Sequence, residues 1–251
     1  MFPIGYHTPH KTVAALPRIT LTLADVTMRI VLYGDSMTEY LHTPPRVLAG
    51  MLQAQNPGRA FEILNYGVGA TRAELVLYRL RYEFWHGRQR MLPLPVLKPD
   101  ALVLESCAFN NSNDQAAGLE NFTRIWDEIL ETCRELAPHS RLICLVTIAS
   151  TPQPPGEMAN RLFFHAGPEI FANRHHWREI YQERFIEWAT RRRVDLVNVR
   201  KDVQSAAAAG TPPTHWIAAD GVHPNPAGVE KISAAIADKI TSHILTHTET
   251  I

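Results

Sequence analysis

The chain has 251 residues, 45% of them hydrophobic and 20% charged, and its 25 lysines and arginines balance 25 aspartates and glutamates. That length suits one substantial α/β domain and is short for two, while a net charge of zero lacks the basic excess of a nucleic-acid footprint. Cys107, Cys133 and Cys144 are too few for a disulfide framework and lack the spacing of a zinc site, so they read as buried reduced thiols.

The start, Met1 to His7, has no basic head followed by an apolar core, and no apolar run approaches a membrane span. The expectation is a cytoplasmic protein, with export of a processed form as the open alternative. Residues 1–27 carry the alternating run Arg18 to Leu23, the pattern of an added arm or edge strand ahead of a main domain at 28–251.

From there apolar runs alternate with helix-period segments. Arg29–Tyr33 predicts the first strong strand, and Arg46–Gln55 a helix that stops before Asn56-Pro57-Gly58. Phe61–Asn65 predicts a second strand and Glu74–Trp85 a helix with a broad apolar face, on which Tyr78, Tyr82 and Trp85 read as core. Ala101–Leu104 is a third strand. Leu119–Leu136 is an amphipathic helix with Phe122, Ile125, Trp126, Ile129, Leu130 and Cys133 on one side. Leu142–Ile148 is a fourth strand, Ala172–Arg193 a long helix, Val194–Val199 a short fifth strand and Pro226–Leu245 a closing helix. The stretch 149–171 is rich in proline and glycine and breaks the repeat; it predicts a long loop overhanging the carboxyl ends of the strands, with Leu162, Phe163 and Phe164 as a candidate apolar wall.

Successive βαβ units build an open parallel sheet with right-handed crossovers. The expected fold class is therefore α/β: a three-layer α/β/α sandwich around a five-stranded, flavodoxin-like parallel sheet. Ligands of such sheets bind beyond the carboxyl ends of the strands.

Ser36, in Gly34-Asp35-Ser36, follows the first strand; Gly69 follows the second; Asn110, Asn111 and Asn113 follow the third. Near the far end stands Asp220-Gly221-Val222-His223-Pro224. A serine hydroxyl is a weak nucleophile until a base takes its proton, and histidine is the natural base near neutrality. An aspartate three residues before the histidine can turn back to hold the other ring nitrogen. Ser36, His223 and Asp220 are thus the candidate nucleophile, base and orienting acid. The backbone N–H groups of Ser36 and Gly69 and the side-chain amide of Asn110 are the candidate oxyanion donors. Asn113-Asp114 offers a competing amide three residues farther from the strand; Asn110 is preferred on reach.

These blocks resemble the SGNH/GDSL hydrolase superfamily of esterases and lipases, from about Met28 to about Leu245. Gly34-Asp35-Ser36-Met37-Thr38-Glu39, Asn65-Tyr66-Gly67-Val68-Gly69-Ala70-Thr71 and Asp220-Gly221-Val222-His223-Pro224 match its Ser, Gly and His blocks. The Asn block, Gly-x-Asn-Asp in the family, is met only loosely by Ala108-Phe109-Asn110-Asn111, with Asn111 where the family has an aspartate. The resemblance implies ester hydrolysis through an acyl-enzyme on a small-molecule ester, with no metal and no cofactor. The same triad serves an acyltransferase or thioesterase, and a binding module could keep the fold without turnover. Taken singly, Gly-Asp-Ser is a common turn and Asp-x-x-His a common loop; their order and placement after strands separate them from coincidence. The remaining features have plainer readings. His175 and His176 are adjacent on a helix and make a poor chelate, Arg191 to Arg193 suit a helix C-terminus, and His42 could line the pocket without being required by it.

Overall fold

The computed structural model describes residues 27–151 and 168–248. The expected N-terminal arm, Leu162 to Phe164 and most of the proline-rich loop lie outside the described residues.

Five strands form one sheet: β1 (Thr27–Gly34), β2 (Ala60–Gly67), β5 (Ala101–Glu105), β6 (Arg141–Val146) and β7 (Asp195–Asn198), in the order β2-β1-β5-β6-β7. Every neighbouring pair is parallel. This is the expected flavodoxin-like order. The strands are apolar on both faces because both are covered. Val31, Tyr33, Leu102, Leu104, Cys144 and Val146 face one cluster with Trp126, Phe185 and Trp188. Ile30, Leu32, Ala101, Val103, Ile143 and Leu145 alternate with them and face a second cluster with Leu52, Val203 and Ile236.

Helices α3 (Ala73–Arg81), α6 (Gln115–Leu136) and α7 (Pro168–Arg192) supply residues to the first cluster. Helices α2 (Arg46–Gln55), α8 (Val199–Ala208) and α9 (Pro226–Thr248) supply the second. The layers, the sheet and most of the helices are those read from the sequence.

Three local expectations are corrected. The helix expected to run to Trp85 ends at Arg81, where Tyr82 takes up extended angles. Phe84–His86 (β3) and Gln89–Met91 (β4) then pair as an antiparallel hairpin across Gly87-Arg88. Tyr78, Tyr82 and Trp85 are 49%, 55% and 60% exposed and are not core; α3 instead buries Ala73, Val76, Arg79 and Leu80. Residues after Asn198 leave the sheet for α8, whose first turn is capped by the Asn198 side chain accepting the Lys201 N–H at 3.0 Å. All three cysteines are buried free thiols, as expected. Among the described residues no helix is long and apolar enough to cross a membrane.

Candidate active site

The residue after β1 is Asp35, and its side chain accepts the Met37 N–H at 2.8 Å. This N-cap turns the chain straight from strand into the one-turn helix α1 (Ser36–Glu39), so Ser36 stands at the carboxyl edge of the sheet. The turn fits only because β2 ends in Gly67. A side chain there would place its Cβ 2.3 Å from the Glu39 backbone nitrogen. Buried Asn65 holds the same turn, donating to the carbonyls of Thr38 (2.8 Å) and His42 (2.9 Å). Buried Arg79 reaches the Tyr66 carbonyl at 2.7 Å and the Gly34 carbonyl at 3.3 Å, tying the ends of β2 and β1. Burial lowers the pKa of this guanidinium.

His223 arrives on a narrow loop before α9. Ala218 N–H donates to the His223 carbonyl at 2.8 Å, and Ile217 bridges Pro224. Gly221 has φ 75°, a conformation glycine adopts without strain, and this bends Asp220 back toward His223. Asp220 Oδ2 lies 2.7 Å from His223 Nδ1, and Oδ1 accepts the N–H groups of Val222 and His223, both at 2.9 Å. Burial works to raise the Asp220 pKa. The hydrogen bonds from the His223 ring and the two backbone N–H groups outweigh it, and the carboxyl sits below the ordinary aspartate value. An ionised carboxylate can only accept, so the Nδ1 proton belongs to His223, and in the neutral imidazole Nε2 is then the acceptor. Ser36 Oγ lies 2.9 Å from that Nε2. The three groups named from the sequence therefore form one continuous chain of hydrogen bonds.

Gly69 stands beside them: a Cβ built on it would lie 3.9 Å from the Ser36 Cβ. Its N–H, however, is taken by the Glu39 carboxylate at 2.7 Å. Asn110 lies in the short helix α5 (Ala108–Asn111), and its side-chain nitrogen donates to Asp35 Oδ2 at 2.8 Å, next to Ser36. Asn113 is exposed and donates to the Asn110 carbonyl at 3.1 Å. Asn111 is buried; it accepts the Ala73 N–H at 2.9 Å and faces Glu74, joining α5 to the start of α3. The missing family aspartate thus leaves a brace in place, made by a neutral amide.

Beside Ser36 lies a pair of fully buried acids, Asp35 and Glu105. Glu105 accepts from Ser106 Oγ at 2.7 Å, Cys107 N–H at 3.0 Å and Asp35 N–H at 3.4 Å. Burial raises both carboxyls, and the Glu105 charge raises Asp35 further, while the three donors restrain Glu105.

Several residues at the site escape a reading of motifs. Tyr40 stacks on His223 with ring centroids 4.3 Å apart and planes 2° apart. Its signal was its place four residues after Ser36, on the same side of one helical turn. His86, in the hairpin, lies 3.2 Å from Glu39. Met37, Phe109, Val222 and Phe171 form a separate buried apolar cluster. The first three adjoin Ser36, Asn110 and His223 in the chain. His175 meets Ser150 Oγ at 3.1 Å, a packing contact; His42 is exposed and contributes its carbonyl to Asn65. Among the described residues no group of three or more His, Cys, Asp and Glu side chains is arranged to hold a metal ion.

The sequence profile of the GDSL-like lipase/acylhydrolase family matches residues 32–231. No protein among those with curated descriptions matches the chain. Among solved structures, an acetylxylan esterase from Geobacillus stearothermophilus superposes with a TM-score of 0.61 at 15% identity, over 85% of this chain and 94% of that one. An alpha/beta hydrolase enzyme from the metagenome of Lake Arreo, Spain, superposes with a TM-score of 0.58 at 18% identity, over 86% of this chain and 97% of that one. At these identities the likeness is one of fold.

Proposed function

The chain belongs to the GDSL-like lipase/acylhydrolase family, and on that premise we propose that it is a serine hydrolase that cleaves carboxylic esters through an acyl-enzyme. The observation that carries this reading is the unbroken Ser36–His223–Asp220 chain, with links of 2.9 and 2.7 Å.

In the proposed reaction His223 Nε2 takes the Ser36 proton as Oγ bonds to the ester carbonyl carbon. Asp220, ionised, holds the Nδ1–H and stabilises the imidazolium that forms. The carbonyl oxygen becomes an oxyanion. The Ser36 N–H, the second proton of the Asn110 amide and, once Glu39 has moved, the Gly69 N–H stabilise it. Collapse breaks the bond to the alcohol oxygen, which leaves with the His223 proton. Water then repeats the sequence on the acyl-enzyme: His223 takes its proton, hydroxide adds to the carbonyl carbon, and Ser36 leaves protonated with the carboxylic acid as second product.

The test is labelling with a fluorophosphonate probe together with hydrolysis of p-nitrophenyl esters of rising chain length. Acetylated xylo-oligosaccharides join the panel because a structural neighbour is an acetylxylan esterase. Labelling and turnover that both vanish in Ser36→Ala are expected. A folded wild-type protein inert to probe and esters alike would overturn the reading.

A further inference from the structure

Glu39 closes α1, three positions after Ser36. Its Oε2 accepts the Gly69 N–H at 2.7 Å, and its Oε1 lies 3.2 Å from His86 Nε2. An oxygen at that distance from the amide stands where a substrate carbonyl oxygen would have to bind. The amide has one proton, and the two oxygens compete for it. The same glycine separates the carboxylate from the nucleophile, since a Cβ on Gly69 would lie 3.0 Å from Glu39 Oε2 and 3.9 Å from Ser36 Cβ.

We propose that Glu39 is the resident anion of the Gly69 oxyanion donor, tethered by His86, and that it makes the site selective for esters with uncharged acyl groups. The proposal rests on the serine-hydrolase reading given above. An ester carbonyl displaces the carboxylate from the amide. The Glu39 and His86 side chains are 43% and 41% exposed, so a rotation that breaks the contact with Gly69 disturbs no core packing. Displaced, Glu39 stays beside the acyl group because its backbone is fixed in α1 and His86 holds its other oxygen. A second carboxylate on the acyl chain then meets a like charge, and a carboxylate product meets a donor already occupied. A neutral acyl group meets neither.

The substitutions Glu39→Gln, which keeps an acceptor without the charge, and Glu39→Ala, which empties the amide, separate the two effects. Two measurements are made on full-length protein. Acetate is titrated into ¹⁵N-labelled wild type and both variants while the Gly69 amide resonance is followed. Hydrolysis of p-nitrophenyl acetate is compared with that of mono-p-nitrophenyl succinate. The expected results are acetate binding at Gly69 at least about tenfold tighter in Glu39→Ala than in wild type, and an acetate-over-succinate preference that narrows by about tenfold or more in both variants. An equal acetate response in wild type and Glu39→Ala, or an unchanged preference, would overturn the proposal. Should Glu39→Ala fail to fold, the near-isosteric Glu39→Gln carries the selectivity arm. Should wild type turn over neither ester and resist fluorophosphonate, the hydrolase reading fails, while the acetate titration still reports whether Glu39 guards the amide.

Discussion

Tyr40 lies flat on His223, the two ring planes within 2° of parallel and their centroids 4.3 Å apart. The contact fixes the tilt of an imidazole whose edge must meet both Ser36 and Asp220. Aromatic pairs of this kind are worth about 0.5–1.5 kcal/mol beyond their area. Tyr40→Ala is therefore expected to lower kcat by roughly 2- to 10-fold, with Tyr40→Phe close to wild type because the ring alone makes the contact. Steady-state kinetics on the two variants check this; equal losses in both would assign the effect to the hydroxyl.

Ser36→Ala and His223→Ala are expected to abolish ester hydrolysis while leaving the fold intact, since both residues are only partly buried at the sheet edge. Asp220→Ala is expected to retain more activity, as the orienting acid is the least costly member of such a unit to lose. Single-turnover kinetics rank the three, with circular dichroism as the control for folding.

Asn110→Ala is expected to lower kcat by about 100-fold or more with little change in KM, because an oxyanion donor acts chiefly on the transition state. Asn113→Ala is expected to do far less, since its exposed side chain reaches only the Asn110 carbonyl. A larger loss from Asn113 than from Asn110 would reverse their roles.

The acid limb of the activity profile carries a prediction of its own. Hydrogen bonds hold the Asp220 carboxyl below the ordinary aspartate range against the opposing effect of burial, so it stays ionised through the range in which an imidazole base is ordinarily lost. Log kcat/KM should therefore fall with a slope of about one as pH drops, a single protonation. A slope approaching two would mean that Asp220 is protonated together with the histidine.

The buried Asp35–Glu105 pair makes stability depend on pH. The folded pKa of Asp35 is raised, by burial first and then by the Glu105 charge. Its contribution is intact below the unfolded aspartate value and is lost as pH rises through the folded one. Glu105→Gln removes the neighbouring charge and keeps the shape. Its melting temperature should exceed that of wild type by a margin that grows as pH rises and closes in acid, where both carboxyls are protonated. Glu105→Ala should melt lower at every pH, because it strips the acceptor from Ser106, Cys107 and Asp35 at about 1–3 kcal/mol per stranded group. Thermal melts from acid to alkaline pH distinguish these outcomes.

The sheet was legible because both its faces are buried, which leaves near-continuous apolar strands that sequence alone reveals. Asp220 and His223 were legible because they stand three residues apart, and Ser36 because it follows a predicted strand within Gly34-Asp35-Ser36; their chemistry restricts the residue types. The hairpin was hidden because Tyr82, Phe84 and Trp85 extend the apolar run of α3, and cross-strand pairing has no signature within a single helical window. Glu39 and Asn65 were hidden for another reason: their partners lie 30 and 27 residues away in the chain. Helix α8 carried a readable cap in Asn198, masked by the apolar strand before it. Asn111 shows why a departure from a family pattern is a weak sign of lost function, since an amide supplies the brace without the charge.

The Ser36–His223 contact joins residues 187 positions apart. During synthesis Ser36 therefore emerges long before His223. The last loop is held to the segment after β6 by Thr151 N–H on the Gly221 carbonyl at 3.0 Å, and a serine with no base beside it is an ordinary alcohol. On the proposed reading, reactivity at Ser36 requires the distant His223 loop to be in place, so covalent capture of Ser36 by a fluorophosphonate would report that docking as well as the chemistry.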